Sequence, residues 1–292
     1  MTAQREFGGT GLTVSIIGLG AGQIGVDEVS EDDVADVLNG ALDLGVTLID
    51  TAASYGSSEE RIGRHLRHRR AEFVLSSKGG QELGDQPAWS PGSVEASIDQ
   101  SLRRTRSERI DVFFLHSCSV EVLRRGDLQD TLDAAVAAGK IGVAGYSGDN
   151  EELAFAVDSG RFGAIETSVN LADQRNLREV LGRRPELGVI AKRPIANAPW
   201  RFTERPTGNY AELYWERLRE LDLDPGGLDW AEFALRFTAY APGVHTCITG
   251  TAKAANLRHN VEAASHGPLP REALDAIDQA WQRVGSTWPS ST

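Results

Sequence analysis

A closed (β/α)₈ barrel of the TIM-barrel class, with an N-terminal β-hairpin and an extra C-terminal helix, is the fold this sequence predicts. Three observations lead there. Short apolar runs alternate with amphipathic stretches along the 292-residue chain, and such alternation implies parallel strands joined by helical crossovers. The strand–helix units number eight at a spacing of roughly 25–40 residues, which suits a closed barrel of ~250 residues better than an open sheet. No internal repeat, low-complexity tract or linker divides them, so residues 1–292 read as one domain.

The elements follow in order. Residues 4–15 alternate weakly around Gly8-Gly9 and Thr10-Gly11, a hairpin signal. A first strand is expected at 14–20. The next helix spans 30–44, with Ser30 and Asp33 spaced as a capping box and Val34, Val37, Leu38 and Ala41 on one face. Strands are expected at 46–50, 73–78, 111–116, 141–146, 164–169, 188–192 and 245–249, each an apolar run of strand length. Helices are expected between them at 58–66, 92–105, 128–138, 151–157, 176–183, 229–238 and 253–264, with a last amphipathic one at 270–284. Residues 194–225, rich in Trp, Arg, Pro and Gly, form the longest interruption. They follow the seventh strand, which places them over the active face as a lid or pocket wall.

Composition narrows the function. A formal net charge of −12 argues against a nucleic-acid partner, which needs a basic face. The basic run from Arg64 to Arg70 reads as a solvated helix end, where cations suit the macrodipole. Two cysteines are too few for a disulfide framework and suggest a reducing compartment. No signal core and no apolar stretch of ~20 residues is present, so the chain reads as cytoplasmic, without a membrane partner. Nothing in the sequence sets an oligomeric state.

In a barrel, chemistry sits at the C-terminal ends of the strands. The second strand is apolar until Asp50, with Tyr55 just beyond; the third ends at Lys78 and the fourth at His116. A charge at one strand end is ordinary. Three in consecutive strands beside a tyrosine make a candidate catalytic set. A tyrosine hydroxyl has a pKa near ~10, and a nearby cation lowers it. Lys78 supplies that cation and Asp50 holds it, so Tyr55 becomes a proton donor near neutral pH. His116 hydrogen-bonds and orients a substrate oxygen. The set has no nucleophile and no metal cluster; it suits protonation of a carbonyl oxygen while hydride attacks the carbon. No side chain donates hydride, so a cofactor is required.

Nearly the whole chain resembles the aldo-keto reductases. The resemblance rests on residues 7–15, Gly18-Leu19-Gly20-Ala21, Asp50-Thr51-Ala52 with Tyr55-Gly56 and Ser58-Glu59, Ser77-Lys78, Leu115-His116, Thr249-Gly250-Thr251 and residues 256–260. It implies reduction of an aldehyde or ketone by NADPH or NADH, or the reverse oxidation of an alcohol, with Tyr55 as general acid, Asp50 and Lys78 tuning it and His116 positioning the carbonyl. It further implies that Ser147, Glu166 and Asn170 lie at the nicotinamide amide, although Glu166 stands where the family usually has Gln and Gly148 where it often has Asn. Lys192 occupies the place of the usual stacking aromatic. Gly250, Thr251, Lys253, Asn256 and Asn260 match the adenosine end, where Lys253 favours NADPH; His259 stands where a Glu is common.

Gly20-Ala21-Gly22-Gln23-Ile24-Gly25 also satisfies the G-x-G-x-x-G of doubly wound dinucleotide folds. That motif needs a helix opening at the glycines, whereas the helix cap here is Ser30. The glycines are read instead as letting cofactor or substrate approach, and Gly20 joins the cofactor set. Trp89, Trp200 and Phe202 lie in loops and are candidate substrate walls; Trp89 and Trp200 join Tyr55 and His116 in the substrate set. A redox-sensing regulatory subunit that binds the same cofactor with little turnover is the alternative function.

Overall fold

The computed structural model describes residues 2–291. Eight parallel strands close into a barrel: β3 (Ile17–Gly20), β4 (Leu48–Asp50), β5 (Val74–Gly79), β6 (Ile110–His116), β7 (Ile141–Ser147), β8 (Ala164–Ser168), β9 (Gly188–Lys192) and β10 (Thr246–Gly250), with β10 pairing back onto β3. The hairpin expected before them is β1 (Gln4–Glu6) and β2 (Thr13–Ser15), an antiparallel pair. Its Phe7 and Val14 are fully buried and pack in the barrel interior with Leu48, Val74, Val112, Phe114, Ala164, Ile190 and Ile248. The hairpin thus plugs the end of the barrel from which the strands start. Gly188 leaves room for this plug, since a Cβ there would come within 2.5 Å of the Phe7 ring.

Helices surround the strands: α1 (Glu31–Asp43), α2 (Ser58–Leu66), α3 (Pro91–Thr105), α4 (Val120–Arg125), α5 (Asp127–Ala137), α6 (Asn150–Ser159), α7 (Arg175–Glu179), α8 (Glu212–Leu221), α9 (Trp230–Ala239), α10 (Ala254–Ser265) and α11 (Arg271–Ala280). Ser30 caps α1 as its spacing predicts, its Oγ accepting from the Asp33 amide at 3.1 Å. The outer faces of the strands pack on helix stripes, as Ile49, Leu75, Phe113 and Leu115 do beside Val34, Leu38, Ile62 and Val94. Fully burying a side chain such as Phe113 contributes about 1.5–3 kcal/mol.

Four local expectations are revised. The first strand breaks at Ile16: residues 13–15 pair in the hairpin and residues 17–20 in the barrel. α4 is additional. Residues 194–225 contain a helix, α8, whose buried positions Tyr214, Arg217 and Leu221 follow helical spacing with a charged residue in the middle. Arg217 is buried because Ala172 O and Pro289 O accept from its guanidinium and Trp288 stacks on it. The basic run is also more than a solvated end. Arg64 and His65 pair with Glu31, Arg69 with Asp43 and Glu72, and Arg70 with Asp111.

Candidate active site

Side chains on a strand alternate between faces with period two. The residues that fill the barrel interior therefore fix which later residues also point inward. Leu48 is interior, so Asp50 is too; Val74 leads to Ser76 and Lys78; Phe114 leads to His116; Ala164 leads to Glu166; Ile190 leads to Lys192. The interior positions nearest the C-terminal ends of these five strands are thus polar.

Lys78 sits at its centre. It is fully buried, and its ammonium donates to Asp50 Oδ2 at 2.5 Å and to Thr51 O at 3.1 Å. Its third neighbour is Glu166 Oε2, 3.1 Å away in an ion-pair contact that lacks the alignment of a hydrogen bond. The other Asp50 oxygen accepts from Ser76 Oγ at 2.7 Å. Tyr55 closes one side: Lys78 Nζ lies 5.4 Å from its ring centroid. The His116 ring meets that of Tyr55 edge-on, with centroids 5.8 Å apart. His116 Nδ1 is buried with no partner among the described residues.

Two glycines hold the Tyr55 loop. A Cβ on Gly25 would lie 1.9 Å from Tyr55 O, and one on Gly56, which has φ +53°, would lie 2.3 Å from Gly25 O. The Gly25 carbonyl accepts from the Ser57 amide at 3.2 Å, and Ser58 Oγ donates to Ala21 O at 2.8 Å. Residues 21–25 form a 3₁₀ turn, so no long helix opens at these glycines. Gly25 brings two backbones together at Tyr55, a close approach that the sequence did not disclose.

The electrostatics depart from expectation in one respect. The Lys78 charge is the largest single influence on Tyr55 and pulls its pKa down, but burial, Asp50 and Glu166 together outweigh it. The net result is a Tyr55 hydroxyl raised above its ordinary value. Burial is the largest of the raising influences, and the two carboxylates, Asp50 then Glu166, add to it against the one ammonium. Burial pushes Lys78 down, yet Asp50 and Glu166 more than reverse this and keep it protonated. Burial, with Lys78 and Lys192 adding to it, pulls His116 down to about 3, so it is neutral around pH 7. Burial and Asp50 push Glu166 up to about 7 against the pull of Lys78 and Lys192.

A second buried network supports the neighbouring wall. Asp149 Oδ2 pairs with Lys192 at 2.9 Å, and its Oδ1 accepts from Thr167 Oγ1, the Ser168 amide and Asn176 Nδ2. Burial would raise Asp149, but Lys192 and these hydrogen bonds lower it and keep it ionised. Arg193 donates to Ser168 Oγ, to Ser291 O and to the Tyr210 hydroxyl.

The remaining sequence-derived residues sort as follows. Gly20 and Gly250 are paired in register at the mouth of the barrel. Thr251 Oγ1 accepts from the Lys253 amide at 3.1 Å and from Asn256 Nδ2 at 3.3 Å at the start of α10, where Lys253 is exposed and Asn260 is buried. Ser147 is buried at the end of β7. Asn170 is already engaged: its Oδ1 accepts from the Ala172 amide and its Nδ2 donates to Arg193 O. Trp89 lies over the corner after Lys78, its amide donating to Gly80 O at 2.7 Å. Trp200 is elsewhere. It stacks on Trp230 at 6.0 Å and lines a cavity of about 340 Å³ with Pro199, Phe202, Trp215 and Trp230, to which none of Asp50, Tyr55, Lys78 or His116 contributes. Phe202 lines the same cavity, so these two aromatics are not brought together with the catalytic set.

The contact of Glu166 with Lys78 was not read from the sequence. Counting by two from Ala164 would have placed Glu166 inward, but the count does not say which neighbour it meets. Among the described residues no cluster of three or more metal-ligating side chains occurs, and no helix is long and apolar enough to cross a membrane.

This arrangement can be set beside known proteins. The model of the Aldo/keto reductase family matches residues 16–282. The chain belongs to the aldo/keto reductase family. Among its relatives is an uncharacterized oxidoreductase, YqkF, of Bacillus subtilis, 25% identical over 94% of this chain and 95% of that protein. L-glyceraldehyde 3-phosphate reductase of Escherichia coli is 28% identical over 83% of this chain and 82% of that protein. A solved structure from Pseudomonas aeruginosa, described as an aldo-keto reductase, shares 30% identity with a TM-score of 0.72 and covers 90% of this chain and 95% of its own. The holo form of aldo-keto reductase AKR11C1 from Bacillus halodurans superposes with a TM-score of 0.83 at 23% identity, over 96% of each chain. Membership makes this chain an oxidoreductase of the carbonyl-reducing kind that works with a nicotinamide cofactor.

Proposed function

We propose that the protein is an NADPH-dependent reductase of aldehydes or ketones in which Tyr55 is the general acid. The observation that carries this reading is the buried, unpartnered Nδ1 of a neutral His116, set edge-on to Tyr55 above the Lys78–Asp50 pair. A neutral imidazole can donate one hydrogen bond to a carbonyl oxygen without competing as an acid. Tyr55 on the same oxygen then passes its proton as negative charge develops there. Lys78, held charged by Asp50, steadies the resulting phenolate. Wedged by Gly25 and Gly56, the tyrosine is pre-positioned, so little ordering is left to the moment of reaction.

The residues present fit a nicotinamide cofactor. The Gly20–Gly250 pair leaves the mouth without side chains, and α10 offers a helix N-terminus beside the exposed Lys253, a setting suited to phosphate. When bound, the cofactor supplies the hydride. Ser147, Glu166, Asn170 and Lys192 stay candidates for its nicotinamide end, and Thr251, Asn256 and Asn260 for its adenosine end. The exposed Lys253 supports NADPH over NADH as the partner.

Mixing the protein with NADPH and a reactive test aldehyde should consume the reduced cofactor, followed by its absorbance. A flat trace with measurable cofactor binding would sink the reductase reading. It would instead favour a cofactor-binding regulatory protein, a reading supported by the raised Tyr55 hydroxyl.

A further inference from the structure

Glu166 is the unusual member of the cluster. It is 2% exposed, its Oε2 lacks a hydrogen-bond partner among the described residues, and the charged atom beside that oxygen is Lys78 Nζ at 3.1 Å. Lys78 already has Asp50 at 2.5 Å, which alone balances its charge. A second carboxylate therefore exceeds the single charge of the ammonium, and desolvating it costs free energy unless it takes up a proton.

We propose that Glu166 is a positioning residue whose protonation state sets the acidity of Tyr55 through Lys78. With a proton on Glu166, Lys78 faces one carboxylate and its charge favours the Tyr55 phenolate. With Glu166 ionised, two carboxylates face one ammonium and the phenolate is disfavoured. The proposal rests on Tyr55 being the acid of the reaction. The step it governs is balanced within that reaction: hydride joins the carbonyl carbon, the Tyr55 proton joins the carbonyl oxygen, and the phenolate regains its proton from water.

The groups around Glu166 make it the natural titrating member. Asp50 on β4 and burial favour its neutral form, while Lys78 on β5 and Lys192 on β9 favour the ionised form, leaving it to titrate near neutral pH. His116 on β6 stays neutral there, and Asp149 after β7 stays ionised and paired to Lys192. Two interacting sites titrate as a pair, so the proton on Glu166 is read at Tyr55, which feels both carboxylates.

The test reads Tyr55 directly. Protein carrying tyrosine labelled with ¹³C at Cζ is titrated by NMR, with the Tyr55 signal assigned by its loss in Tyr55→Phe. In Glu166→Gln, a neutral isostere, the Tyr55 transition should move to lower pH. An unmoved transition, or one moved upward, overturns the inference. Single-turnover carbonyl reduction in the wild-type protein should slow as pH rises through neutrality, and this break should vanish in Glu166→Gln and return in Glu166→Asp. A break that persists in Glu166→Gln also overturns it. Lys192→Met offers a second route that leaves Glu166 in place. Removing that cation should shift the break to higher pH, and a shift to lower pH counts against the proposal. The NMR arm needs neither cofactor nor turnover. Failure of the protein to reduce any carbonyl would therefore refute the reductase reading while leaving the Glu166–Tyr55 coupling to be decided separately.

Discussion

Gly25→Ala tests whether the glycine-rich turn exists to place Tyr55. The new Cβ would stand 1.9 Å from Tyr55 O, in a region where Cβ contacts under 3.0 Å essentially never occur. Neither backbone can yield by rotating a side chain. Gly25 has no positive φ, so the effect is steric and free of conformational strain at the substituted residue. The Tyr55 loop must withdraw by roughly 1 Å, a displacement of a reacting group that costs on the order of 10²-fold in rate. That corresponds to about 2.7 kcal/mol of lost transition-state stabilisation. Overpacking should also lower stability by about 1–3 kcal/mol, so folding is followed by thermal denaturation alongside single-turnover hydride transfer. Gly22→Ala is the control: its Cβ would meet the Tyr55 ring at 3.5 Å, an ordinary contact, and should change the rate far less. A folded Gly25→Ala protein with the wild-type rate would refute the reasoning, as would equal losses in the two variants.

Tyr55→Phe should lower turnover by about 10²–10⁴-fold, the range for loss of a general acid, with cofactor affinity kept; this is checked by steady-state kinetics with fluorescence titration of the cofactor. His116 makes stability depend on pH. Its pKa is depressed in the folded state from 6.5 to about 3, so unfolding takes up a proton between those values. The contribution is full above pH 6.5 and is lost as pH falls toward 3, with a slope of at most about 1.4 kcal/mol per pH unit. His116→Asn should flatten urea-derived stability across that window, and an unchanged slope would refute the assignment. Lys253→Ala, at an exposed position, should weaken NADPH by about tenfold or ~1.4 kcal/mol and NADH much less, measured by equilibrium binding.

The amino-acid order by itself determined the strands, most helices, and three ionisable residues at consecutive strand ends with a tyrosine beside them. Each is written locally, as an apolar run that stops at an ionisable residue, or as a cap and a 3.6-residue stripe. α8 escaped because its buried positions include Arg217, which hides the stripe; its burial depends on Ala172, Trp288 and Pro289 from distant parts of the chain. Trp200 shows the same limit: its stacking partner, Trp230, and the cavity they share are not written in its local sequence.

What only the tertiary structure decided is the sign of the site's electrostatics. Sequence places a lysine near a tyrosine and predicts a more acidic hydroxyl. Folding buries that hydroxyl and closes two carboxylates, Asp50 and Glu166, around the same lysine, and together these outweigh its pull. Local sequence determines which face a side chain occupies, because strand geometry alternates at every step. Charges from separate strands sum over distances, and those distances exist only once the register of all eight strands is set.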